Sequence, residues 1–91
     1  MSALPEEQHH AKDVVDVTYN GVDKDVSFVP QESMQALLDQ SLNAYAITAN
    51  RHLMALWTTG NVELPITGSV ADAGVAPGQT LVLRPSAVRG G

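Results

Sequence analysis

The chain has no cysteine, which excludes a disulfide framework, a thiolate zinc site and a cysteine nucleophile. It has no apolar run near the ~20 residues of a membrane-spanning helix. Its N-terminus lacks the basic stretch and apolar block of a secretory signal. The expectation is a cytoplasmic protein with no membrane partner. Positive charge is scarce as well: five Lys+Arg face ten Asp+Glu, a formal net charge of −5, and the only lysines are Lys12 and Lys24. Without a basic stripe, nucleic-acid binding through phosphate neutralisation is not expected. His9 and His10 are adjacent with no other ligand type at useful spacing, so no metal is assigned.

What is present fits one small domain, since 91 residues suffice for a modest core. Residues 1–12 have no period and few apolar groups and read as a flexible arm. Val15, Val17 and Tyr19 then alternate with Asp16 and Thr18, the pattern of a half-buried strand. Asn20-Gly21 is the strongest two-residue hairpin signal, and Val22, Val26 and Phe28 continue beyond it. Pairing Tyr19 with Val22 puts Val17 by Lys24 and Val15 by Val26. The apolar sets then share a face, with Lys24 as the exception, its stem running to the sheet's edge.

Pro30 closes the second strand and Ser33 can cap a helix over about 33–47. Met34, Leu37, Leu38, Ser41, Leu42 and Tyr45 form its apolar stripe, with Ser41 a small residue at a close contact. Leu53–Trp57 is apolar on both faces and reads as a central or two-sided strand. Val62-Glu63-Leu64 could add a brief edge strand. Ser69–Val75 looks like one capped turn, with Ser69 as cap and Gly74 as stop. Pro77-Gly78 turns into a last strand, Thr80–Arg84, ended by Pro85. The fold class is α+β: an N-terminal hairpin and one helix across a mixed four- to five-stranded sheet, first and last strands parallel at its centre. The domain spans 13–85, followed by a flexible tail over 86–91.

That tail ends Arg89-Gly90-Gly91. A frayed end is the plain reading of such a segment. Its other reading is a terminal carboxylate on a strip without side chains, thin enough to thread a narrow channel.

In order and spacing these segments resemble ubiquitin and the β-grasp modifiers, from about Val14 to Gly91. Pro30-Gln31-Glu32-Ser33-Met34 is similar to the family's helix entry and Leu53-Met54-Ala55 to its third strand. Ser69–Val75 resembles the short turn, with Val70 and Val75 at buried positions. Thr80-Leu81-Val82-Leu83 resembles the last strand, and Val88-Arg89-Gly90-Gly91 the tail. The extra arm, the missing lysines and the longer Pro85-Ser86-Ala87 tail depart from ubiquitin. They look more like the ubiquitin-like proteins of bacterial operons that encode E1-like, E2-like and deubiquitinase-like enzymes, a setting suspected of antiviral defence.

The resemblance implies that Gly91 is adenylated by an E1-like enzyme, which holds the ATP and magnesium, and is passed through a cysteine to amines of target proteins. Gly90 and Gly91 would serve by lacking Cβ atoms, and Arg89 would anchor the tail to an acidic partner. Lys12 and then Lys24 are candidate acceptors for chains. The chain itself is expected to bind no cofactor and to be no enzyme, because the sequence shows no pairing around His52 that makes a nucleophile or base plausible and the carboxylates are scattered. Two other readings stay open: a sulfur carrier bearing a C-terminal thiocarboxylate, and a non-covalent ubiquitin-like adaptor.

A partner-docking patch is expected on the outer face of the last two strands. Alternation leaves both parities of Leu53–Trp57 open. A buried tryptophan beside a small alanine packs readily, which favours Leu53, Ala55 and Trp57 inward and His52, Met54 and Leu56 outward. Leu81 and Leu83 would then face in, leaving Val82 and Arg84 beside the patch. The resemblance points to Met54 and Val82 in particular.

Overall fold

Asn20 and Gly21 both adopt positive φ, 52° and 81°, the backbone of a tight two-residue hairpin. The turn joins β1 (Asp13–Tyr19) to β2 (Val22–Phe28) in the expected register, with Val15 opposite Val26, Val17 opposite Lys24 and Tyr19 opposite Val22. The structure, a computed structural model, describes residues 13–88. The arm over 1–12, with Lys12, His9 and His10, lies outside the described residues, as do Arg89, Gly90 and Gly91.

Helix α1 (Met34–Ala44) starts where expected, because the Ser33 hydroxyl accepts the Ala36 N–H at 3.0 Å. It stops short of the expected 47. Ala46 takes a left-handed φ of 55°, which lets Ile47 N–H donate to Leu42 O (2.9 Å) and Ala46 N–H to Asn43 O (3.0 Å). That pair of bonds is a Schellman ending, usually built on glycine. An alanine there gives little warning in the sequence. Ser41 is buried within the helix, its hydroxyl donating to Leu37 O at 2.9 Å.

The four strands lie in the order β2-β1-β4-β3, where β3 is Met54–Thr58 and β4 is Thr80–Pro85. β1 and β4 run parallel at the centre, with Val17 opposite Leu81. A 3-10 turn over Arg51–Leu53 leads into β3. Residues 62–64 cover β3's free edge through the Trp57–Glu63 bridge, flanked by Thr58 N–H to Val62 O and Leu64 N–H to Leu56 O. Ser69 and Asp72 cap the short turn reciprocally: Asp72 N–H donates to the Ser69 hydroxyl at 3.0 Å, and Ser69 N–H to the Asp72 carboxylate at 3.4 Å. Val70 and Val75 are buried there, and Gly74 ends the turn at φ 79°.

The core lies between α1 and one face of the sheet. Met34, Leu37, Leu38 and Leu42 meet Val15, Val17, Val26, Phe28, Leu81 and Leu83. Burying an aliphatic side chain contributes about 1.5–3 kcal/mol, so this layer carries most of the fold's stability. No helix among the described residues is long and apolar enough to cross a membrane.

Candidate functional site

β3 and β4 pair antiparallel with Leu56 opposite Leu83, Ala55 opposite Arg84 and Trp57 opposite Val82. Directly opposed residues share a face of the sheet. Because Leu83 points into the core, Leu56 must as well, and Met54 follows by alternation. Both belong to the core layer. This overturns the expected parity: Met54 is 8% exposed and presents no outward docking group, and Leu56 presents none either. Met54 and Leu56 join a layer that already holds the leucines of α1. The indole takes the other face.

There Arg84 lies over the Trp57 ring, its guanidinium carbon 3.8 Å from the centroid. This cation–π stack is a close one. Trp57 is buried, and its Nε1 has no hydrogen-bond partner among the described residues. Val82 and Arg84 face outward as expected, half-buried beside Trp57 and Ala55. His52 is exposed on the 3-10 turn, away from that face. It lines a cleft of about 310 Å³ with Gln35, Leu38, Asp39, Arg51 and Ile66. Arg51 donates to Ile47 O at 2.7 Å and sits 3.9 Å from the Asp39 carboxylate. Of the five residues expected in one patch, the structure thus keeps two together. It replaces Met54 and Leu56 with Trp57 and Ala55.

The other half of the outer face is acidic. Asp16 stands opposite Asp25, and Thr18 opposite Asp23, to which its hydroxyl donates at 2.6 Å. Lys24, on the core-facing parity of an edge strand, bends to the end of α1. Its ammonium donates to Ala44 O at 3.0 Å and lies 5.2 Å from the Tyr45 ring centroid. A cation there complements the partial negative charge of a helix C-terminus. The Tyr45 hydroxyl shares its proton between Val17 O, at 2.6 Å, and Val22 O. Burial first, and then the Asp23 and Asp16 carboxylates, raise the Tyr45 phenol above its ordinary value.

Beyond β4 the chain does not leave the domain at once. Ser86 is 4% exposed; its N–H donates to Leu53 O at 2.7 Å and its hydroxyl to Glu63 Oε2. The Ala87 N–H donates to Glu63 Oε1 at 2.9 Å. Val88 N–H donates to the Ser86 hydroxyl at 3.1 Å, and Val88 lines a cleft with Pro65, Ile66 and Thr67. Ser86 and Ala87, expected in a flexible tail, are therefore attached to the domain, and Val88, 81% exposed, is tied to it through Ser86. Sequence reasoning missed Glu63 in this role. The available signal was a lone carboxylate between Val62 and Leu64, with Ser86 following a strand-ending proline.

No known protein family matches this sequence, and no curated protein does. Solved structures are similar in fold. One is the crystal structure of ATBAG1 in complex with HSP70, at 18% identity and a TM-score of 0.69, matched over 85% of this chain; the chain spans 42% of that one's length. Another is a de novo design based on ubiquitin, at 14% identity and a TM-score of 0.71, with 86% of this chain and 93% of the design covered. The fold is a ubiquitin-like β-grasp: one helix across a mixed four-stranded sheet.

Proposed function

We propose that this chain is a ubiquitin-like protein modifier, activated at Gly91 by an E1-like enzyme and transferred to amines of target proteins. The observation that carries the reading is the placement of Arg89-Gly90-Gly91, just after a β4 strand at the centre of a β-grasp sheet. A carboxylate is a poor electrophile at neutral pH. Attack of its oxygen on the α-phosphate of ATP expels pyrophosphate and leaves an acyl adenylate. A partner's cysteine thiolate then displaces AMP, and a target amine displaces the thiolate to form the amide. Every catalytic group in this sequence belongs to partner enzymes, and so do the ATP and magnesium.

The setting we infer is a bacterial operon that supplies E1-like, E2-like and deubiquitinase-like proteins, with antiviral defence as the role. For chain formation, Lys12 is the favoured acceptor. Lys24 is second, because its amine is engaged by Ala44 O and Tyr45 and must first be freed.

The test is intact mass spectrometry after incubation with the E1-like enzyme of the same operon and ATP. Covalent ladders that disappear when Gly91 is deleted support the modifier. A product in which one sulfur replaces one oxygen supports the sulfur carrier instead. An unchanged mass under all conditions rejects both and leaves a non-covalent adaptor.

A further inference from the structure

We propose that Glu63 is a positioning residue for the tail. Its two carboxylate oxygens hold Ser86 and Ala87 beyond the end of β4, which brings the chain to Val88 beside Pro65–Thr67. The inference rests on the modifier reading for its function, but not for its geometry.

Three observations carry it. Glu63 lies on the segment that borders β3 on one edge, while β4 borders the other. The chain leaving β4 bonds Leu53 O at the start of β3 and then meets Glu63 beyond it. Residues 86–88 thus bridge the two sides of the strand. One carboxylate also receives two donors from adjacent residues, the Ser86 hydroxyl on Oε2 and the Ala87 N–H on Oε1. Hydrogen bonds to a charged acceptor are the stronger kind. Finally, the Ser86 hydroxyl accepts from Val88 N–H while donating to Glu63, so the arrangement closes on itself.

The consequence is one of reach and of order. From Val88, Gly91 lies at most about 10 Å of extended chain away, against roughly 20 Å if the chain were free from Pro85 onward. A partner that captures Gly91 meets a tail whose first half is already ordered, and ordering three more residues at the moment of binding would cost affinity.

Amide hydrogen exchange by NMR on the 91-residue protein tests the geometry without any enzyme. Ala87 N–H should exchange more slowly than an unstructured chain. Glu63→Ala should accelerate it about tenfold or more, while Leu64 N–H, bonded to Leu56 O, keeps its rate. Glu63→Gln, which retains an acceptor oxygen for Ala87, should lose less. Unstructured-chain exchange of Ala87 in the unsubstituted protein overturns the proposal. So does an unchanged Ala87 rate in Glu63→Ala, or equal acceleration of Leu64, which would make Glu63 a support for the 62–64 segment alone. In ATP-dependent activation, Glu63→Ala should raise KM for this chain roughly two- to tenfold with kcat unchanged. An unaltered KM overturns the positioning role. Failure of the unsubstituted chain to be activated would instead reject the modifier reading, leaving the exchange result standing.

Discussion

The two faces of the sheet are built from opposite materials. Toward α1, β1 and β4 present only Val15, Val17, Leu81 and Leu83 at fully buried positions. On the far side the four strands of the sheet present Asp16, Asp23 and Asp25 at one end and Trp57 under Arg84 at the other. Between the faces lies a difference in what each residue does. The inner face holds the chain together through non-directional burial. The outer face buries little beyond Trp57 and Ala55 and carries fixed charge and a stacked cation, the features by which a partner could tell this surface from another.

The comparison breaks most visibly if stability proves equally spread. Leu56→Ala should cost about 2–5 kcal/mol, the range for emptying a packed leucine site, whereas Val82→Ala, its half-buried neighbour on the other face, should cost under about 1 kcal/mol. Urea unfolding of the two variants checks this. Equal losses would end the division between faces. Next in size, Arg84→Ala should lose about 0.5–2 kcal/mol by uncovering the indole, with a red-shifted tryptophan emission as the accompanying sign.

The acidic half should act on Tyr45 at the far edge. Because its folded phenol stays protonated above the unfolded value near 10, the unfolded state sheds its proton first. Stability should therefore be undiminished below about pH 10 and fall as pH rises through the folded value. Asp23→Asn should bring the absorbance titration of Tyr45 back toward its ordinary value; no movement would separate the two regions. The smallest effect expected is Asp25→Asn, a gain of a few tenths of a kcal/mol from relieving its opposition to Asp16, fading at high salt.

Much of the scaffold could be read from residue patterns. Asn20-Gly21 set the hairpin register, Ser33 the start of α1, and the capped turn and Pro77-Gly78 led correctly into β4. These signals are local, and their physics acts within a few residues. Met54 and Leu56 were misplaced because β3 is apolar on both faces, so alternation had no polar phase to lock onto; only the pairing of Leu56 with Leu83 decides it. The end of α1 was overrun because Ala46 occupies a position that glycine would have announced. Glu63 was missed for a different reason. Its partners lie 23 and 24 residues away, and no short-range pattern encodes such a contact.

The single tryptophan lies outside the core layer, under a guanidinium and beside the segment that carries Glu63. An indole in that position is a built-in optical gauge. Its emission will register what happens to the outer face, such as a partner displacing Arg84, while the hydrophobic layer beneath stays silent. Docking and unfolding could thus be followed in the same cuvette without attaching a dye.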